Sequence, residues 1–438
     1  MFFLCGRLPE INNARLAKRR SHRMIAVIMT GVLLASNVEA QQRVPLTLAE
    51  AEDLALAAEP GQHAMQAKAA ALEARAVLAG ELPDPMLRVG LNNFPIESGG
   101  FRTEGMTNAA IGLRQVFPAG KTRSFSARQF DFLAAEMNEN AEARSRNVLT
   151  AVRNSWLDFY YWDRAHKLVA ESRPFFDDLA LVTRSLYSVG RKSQQDVLRA
   201  ELELSRLQDR LIDIERQRSR AQAALGEWIG RDSGRPLALK LPSWGRLPPL
   251  ESLQRSLTEH PALRAADAQI EARSAGVDLA HERSKPGWAL ELGYSYREGF
   301  LPNGEPRSDF VSLGVSVDLP FFRKKSVDST LSAALHERSA AISSREQTSR
   351  GLQSQLVAEH ARWRDLTRRL SLYDASILDQ AKDNAEASML AYQSDRGDFA
   401  DVMRAYIDDL NTRIEHIRLQ VERAQSYAVL ANLGGLPR

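Results

Sequence analysis

Two aspartates stand at matching places in this 438-residue chain. Asp196 heads Asp196-Val197-Leu198-Arg199-Ala200, and Asp401 heads Asp401-Val402-Met403-Arg404-Ala405, 205 positions later. A carboxylate that recurs at one place of a repeat is a candidate for electrostatic work. The same acids also suit the first turn of a helix, where free N–H groups and the macrodipole attract them. Catalytic chemistry is not indicated: no G-x-S-x-G, P-loop, H-E-x-x-H or paired-carboxylate site stands out. Glu359-His360 falls in a helical stretch and reads as a solvated face. The histidines beyond residue 40 (63, 166, 260, 281, 336, 360 and 416) form no i, i+4 pair and no His/Cys cluster, so neither a metal site nor a cofactor is expected.

The elements that position these acids also come twice. Pro60 returns as Pro261, Gly112…Phe117-Pro118 as Gly314…Leu319-Pro320, Tyr187 as Tyr392, and Leu225-Gly226 as Leu433-Gly434. A solenoid unit spans roughly 20–50 residues, so this is a duplicated domain-sized unit. The first repeat is expected over 41–235, with strands about 86–94 and 107–117 and long helices about 120–230. A linker covers 236–249. The second repeat covers 250–438, with strands about 288–297 and 309–319 and long helices about 322–433. The helical pattern of 120–230 is interrupted by Pro174 and Gly190, and Gly397 marks the corresponding turn in the second repeat. Helices of about 65 residues would be roughly 100 Å long. Val197, Ala200, Leu204, Leu207, Leu211 and Ile214 keep 3-4 spacing, as do Met403, Ile407, Leu410, Ile414, Ile417 and Val421, the pattern of a coiled-coil seam.

The four strands alternate. Trp288, Leu290, Leu292, Tyr294 and Tyr296 are separated by Ala289, Glu291, Gly293 and Ser295, and the other three strands follow the same rule. One face is apolar with aromatics at its ends; the other is small, polar or charged. That is the pattern of an outer-membrane barrel strand, although any half-buried hairpin also alternates. Backbone groups in lipid must be satisfied internally, and four strands are too few to close a barrel. Several chains must therefore pool strands: two would give eight and three would give twelve. Gly/Pro/Asn-rich segments, 95–105 and 299–307, link the strands of each pair and read as outer loops.

Lys18, Arg19, Arg20 and Arg23 precede an apolar run from Met24 to Ala35, and Val38-Glu39-Ala40 offers a cleavage site. This reads as a signal peptide over residues 1–40; the run is too short to span a membrane. Its removal takes six Lys/Arg and two Asp/Glu and leaves a mature chain near −1, so nucleic acid is not an expected partner. The only cysteine, Cys5, lies in that segment.

With these pieces in place the chain resembles the TolC-like family of outer-membrane efflux proteins, the outer membrane factors. The resemblance runs from Leu46-Thr47-Leu48-Ala49-Glu50-Ala51 to Leu433-Gly434. It rests on the duplicated strand–strand–long-helix layout and on the tip motif, Tyr187-Ser188-Val189-Gly190…Asp196-Val197-Leu198 and Tyr392…Asp401-Val402-Met403. It implies a mainly α fold with a small β part: a homotrimer with a 12-stranded β-barrel in the outer membrane and a long α-helical coiled-coil tunnel in the periplasm. It implies a passive exit duct in a tripartite efflux system, joined through a periplasmic adaptor (membrane fusion protein) to an inner-membrane pump of the resistance-nodulation-division type. Asp196, Tyr392, Asp401 and Arg404 are then the expected pore gate. Val189, Gly190, Arg191, Ser193, Arg396 and Gly397 are the expected adaptor contacts.

The chain departs from the family pattern at two places. Arg404 stands where a second acid is usual, and Asp395 stands where a glycine is usual three residues after Tyr392. The gate is therefore expected to use an Asp401–Arg404 arrangement. Pro83-Asp84-Pro85…Asn92-Asn93-Phe94-Pro95 and Gln115-Val116-Phe117-Pro118-Ala119-Gly120-Lys121 resemble the heavy-metal efflux branch. Multidrug efflux and type I protein secretion are the alternatives within the channel class; a soluble periplasmic coiled-coil adaptor is the distant one.

Overall fold

The structure is a computed structural model that describes residues 45–244 and 247–436. The expected signal peptide and Cys5 lie outside the described residues. Helices α1 (Leu48–Ala57) and α2 (Pro60–Gly80) lead to strands β1 (Met86–Asn92) and β2 (Asn108–Phe117), then to α3 (Thr122–Ser188) and α4 (Gln194–Ile229). The second set is α5 (Leu250–Ser256), α6 (Pro261–Glu282), β3 (Trp288–Tyr296), β4 (Phe310–Val317), α7 (Lys324–Leu372), α8 (Leu378–Gln393) and α9 (Phe399–Gly434). A π-helical turn, Tyr373–Ile377, joins α7 to α8 without a break. Contacts group the described residues into two compact units: 45–55 with 155–244, and 56–154 with 247–436.

In the first unit, Ala200, Leu207, Ile214 and Ala221 of α4 are buried at seven-residue intervals, the signature of a coiled-coil seam. The hairpin partner is the later part of α3, reached by Arg218 to Asp163 at 3.0 Å and by an Arg184–Glu201 ion pair. Trp156, fully buried, donates its indole N–H to the Leu46 carbonyl at 3.3 Å, and Leu46 forms a parallel bridge with Leu237. The sequence left open whether Pro174 kinks a helix or ends one; it lies inside α3 and does not end it. Its ring removes one helical hydrogen bond. Buried Val169 before it, and Phe176 and Leu179 after it, pin both sides of the gap.

In the second unit the four strands form one antiparallel sheet, ordered β1-β2-β3-β4. The register places Val89, Ile111, Tyr294 and Val311 in one cross-strand row, and Arg88, Gly112, Gly293 and Ser312 in the next. The two rows point to opposite faces. On the apolar face Val89, Val311 and Leu313 are each more than 70% exposed. Large contiguous apolar patches are unusual on a soluble monomer and mark a surface that meets another apolar phase. Aromatics close this face at both ends: Phe117 stacks on Trp288 at 4.1 Å, and Phe101 on Tyr296 at 6.2 Å. The outer edges of β1 and β4 have no strand partner among the described residues. No described helix is long and apolar enough to cross a membrane.

The loops beyond the strands are tied to each other. Arg102 pairs with Glu298, Arg297 donates to the Gly105 carbonyl at 2.9 Å, and Arg307 to the Glu104 carbonyl at 3.1 Å. The two segments quoted for the heavy-metal branch have local structural jobs. Asn93 turns the chain out of β1 with φ +53°, a conformation Asn tolerates. Gln115 donates to the Pro83 carbonyl at 2.8 Å.

The two short helices start alike but with opposite chemistry. Glu59 caps α2 by accepting from Gly61 N–H at 2.7 Å and pairs with Arg144 at 3.3 Å. His260 caps α6 by accepting from Ala262 N–H at 3.2 Å. The α6 helix ends at Glu282, whose carboxylate holds Lys121 N–H and Lys285 Nζ, each at 2.7 Å. Helix α9 packs on α7 through Leu419 against Leu366 and Leu370. Glu359, read from sequence as part of a solvated face, instead accepts from the buried Ser426 hydroxyl at 2.9 Å. The helical stripe that buries Leu356 also turns Glu359 toward α9.

Candidate functional site

Both long hairpins turn by the same backbone device. At the first tip Gly190 N–H donates to Tyr187 O and Arg191 N–H to Leu186 O, each at 2.9 Å. At the second, Asp395 N–H donates to Tyr392 O at 3.2 Å and Arg396 N–H to Ala391 O at 2.9 Å. Both are Schellman motifs with a left-handed residue after the helix: Gly190 at φ +72° and Asp395 at φ +58°. Gly397 is therefore not the counterpart of Gly190, as the sequence had suggested. Its role is close approach, because a Cβ there would sit 3.1 Å from the Ala391 Cβ and 3.3 Å from Ala391 and Tyr392 backbone. The repeat offset itself carried this signal, since 205 positions after Gly190 is Asp395.

The acids differ between the tips. Ser193 and Asp196 close a capping box on α4, with reciprocal contacts of 3.3 Å. Asp196 thus has the geometry of a first-turn acid that satisfies helix N–H groups. In the second tip Asp398 takes the N-cap position without a side-chain hydrogen bond. Asp401, three residues after its N-cap just as Asp196 is, forms an ion pair with Arg404 at 3.0 Å, and both side chains are largely exposed. Tyr392 is buried and meets Phe399 edge-on at 5.7 Å, a partner that sequence reading had missed. Around the first tip Tyr187, Val189 and Leu198 are large apolar side chains left exposed, beside exposed Arg191 and Ser193. At the second tip Arg396 is exposed and Leu390 is two-thirds exposed.

No group of three or more His, Cys, Asp or Glu suited to a metal occurs among the described residues. Each helical tip offers charged and apolar side chains to solvent, and the sheet of the second unit offers an exposed apolar face.

Comparison with known proteins agrees with this geometry. Residues 252–436 match the family model described as outer membrane efflux protein. Protein CyaE of Bordetella pertussis is 26% identical over 418 residues, covering 90% of this chain and 85% of that protein. The outer-membrane channel OprN superposes with a TM-score of 0.74 at 16% identity, over 89% of this chain and 90% of that one. The outer membrane protein VceC of Vibrio cholerae does so with 0.73 at 15% identity, over 88% and 96%. The family model matches within the C-terminal part of the chain, and the fold of these solved outer-membrane proteins is shared over most of it.

Proposed function

We propose that the chain is one of three identical subunits of a passive exit duct, with a pooled 12-stranded barrel in the outer membrane and a helical tunnel in the periplasm. One observation carries the reading: a four-stranded sheet with one exposed apolar face and two unpaired edges, set on helices of 67 and 49 residues. In lipid such edges are tolerable only when neighbouring copies pair with them. The two repeats, 41–235 and 250–438, each supply a hairpin of strands and a hairpin of helices. The helical tips would dock a periplasmic adaptor through Val189, Gly190, Arg191, Ser193, Arg396 and Gly397. Asp196, Tyr392, Asp401 and Arg404 would form the gate. An inner-membrane pump of the resistance-nodulation-division type would drive transport, and heavy-metal cations are the proposed cargo because of the segments 83–95 and 115–121.

The test is growth of a deletion strain, with and without the restored gene, across copper, silver, zinc, cobalt, cadmium, drugs and detergents. Sensitivity to one or two metals supports the metal reading. Broad drug and detergent sensitivity replaces it with multidrug efflux. Recovery of the protein in the soluble periplasm, not the outer-membrane fraction, overturns the duct itself.

A further inference from the structure

At the foot of the sheet, where β2 and β4 give way to helices, the second unit has a half-open cavity of about 440 Å³. Arg114, Arg283, Lys285 and Arg323 line it, and Asp318 is the only carboxylate in its wall. Two of these cations are engaged. Lys285 is held by Glu282 at 2.7 Å, and Arg114 Nε lies 3.1 Å from Glu291 outside hydrogen-bonding alignment. Arg283 and Arg323 have no carboxylate within ion-pair distance among the described residues. Arg323 is also the N-cap of α7, whose first turn has no side-chain cap. Ser326 and Val327 from that turn complete the wall. Cations and an uncapped helix start converge on one volume, and each favours an anion.

The location narrows the anion. Trp288 lines the same cavity and stacks with Phe117 at the end of the apolar face. Tryptophan sits at the headgroup level of membranes because its ring is apolar and its N–H is polar. Guanidinium groups present a planar fork that matches phosphate oxygens. We propose that this cavity binds a phosphate group, supplied by a phospholipid headgroup or by a soluble phosphate. All lining residues belong to one chain, so the site itself does not depend on a trimer; only its position at the base of a duct rests on the function proposed above.

The experiment measures thermal unfolding of the detergent-solubilised full-length protein against inorganic phosphate, short-chain phosphatidylglycerol, short-chain phosphatidylcholine and chloride at matched ionic strength. The same series is run on Arg283→Gln/Arg323→Gln and on Arg323→Gln alone, which changes only an exposed side chain. Wild type should gain about 2 °C or more with phosphate over chloride. A larger gain with both phospholipids than with inorganic phosphate identifies a lipid source, and the reverse a soluble one. The Arg323→Gln protein should lose at least half of the gain and the double variant all of it. Equal shifts in phosphate and chloride, or an undiminished shift in the double variant, overturn the proposal. Bilayer conductance of the same preparation separates the two ideas: conduction without a phosphate effect removes only this site, and a phosphate effect without conduction removes only the duct.

Discussion

The Glu282 carboxylate fills the space that a side chain on Gly120 would need. A Cβ at Gly120 would lie 1.9 Å from Glu282 Oε2, and Gly120 already holds φ +47°. The glycine in Pro118-Ala119-Gly120-Lys121 is thus required twice, for conformation and for room. Gly120→Ala is expected to destabilise by at least about 2 kcal/mol, from left-handed strain plus displacement of the carboxylate. The Lys285 ammonium, then the Lys121 N–H, hold the Glu282 carboxyl below its ordinary range. Its contribution is present above the unfolded carboxylate value and is lost as pH falls through the folded one. Glu282→Gln should therefore flatten the acid limb of a melting-temperature profile; an acid limb identical to wild type would count against the clamp.

The second helical tip should be improvable. Asp395 occupies a left-handed position that glycine fills at the first tip. Asp395→Gly should stabilise that hairpin by up to about 1 kcal/mol, and Gly190→Ala should cost the first about 1–2 kcal/mol. Hydrogen exchange of the tip amides measures each hairpin separately.

His260 gives the protein a pH-dependent element. Burial lowers its pKa, and Arg146 and Arg264 push in the same direction. The Asn432 amide favours the proton, yet no hydrogen bond closes: His260 Nε2 and Asn432 Oδ1 are both buried without a partner. The neutral ring is also what lets Nδ1 accept from Ala262 N–H. Above the unfolded value, about 6.5, folding is unaffected by this group. As pH drops below it, the unfolded chain takes up a proton that the folded chain resists, and stability falls. His260→Asn keeps a good cap and removes the titration. Melting temperature between pH 7.5 and pH 5 should decline less in the variant; parallel declines would exclude His260 as the source.

The exposed Asp401–Arg404 pair should matter to ions more than to folding. Exposed pairs are worth about 0–1 kcal/mol, so Asp401→Ala should barely change the melting temperature. If the pair sits at the gate, the same variant raises closed-state leak or weakens divalent block. Single-channel records identical to wild type, with and without added divalents, would remove Asp401 from the gate.

Much of the architecture was legible because it depends on periodicity. Alternation located four strands to within about two residues, and the seven-residue stripe of Ala200, Leu207 and Ile214 marked the α4 seam. What was not legible depended on packing. Pro174 is a strong helix breaker locally, but buried neighbours on both sides outweigh one missing hydrogen bond. Gly397 looked like a turn glycine by type, whereas Asp395 has the turn conformation and Gly397 the tight contact. Glu359 looked solvated because charge usually is, until the α9 hydroxyl of Ser426 met it. Asp196 and Asp401 share a motif yet have different partners, a difference set by Ser193 in one tip and Asp398 in the other.

The unpaired borders of β1 and β4 bear on how the molecule is made. A lone chain that slid its sheet into hydrocarbon would strand a row of backbone N–H and C=O groups on each border, at several kcal/mol apiece. Insertion ahead of companionship is therefore uphill, and companionship in water leaves the apolar face wet. For the duct proposed above, biogenesis would have to couple the two steps, and unpaired border strands would keep incomplete assemblies out of the bilayer.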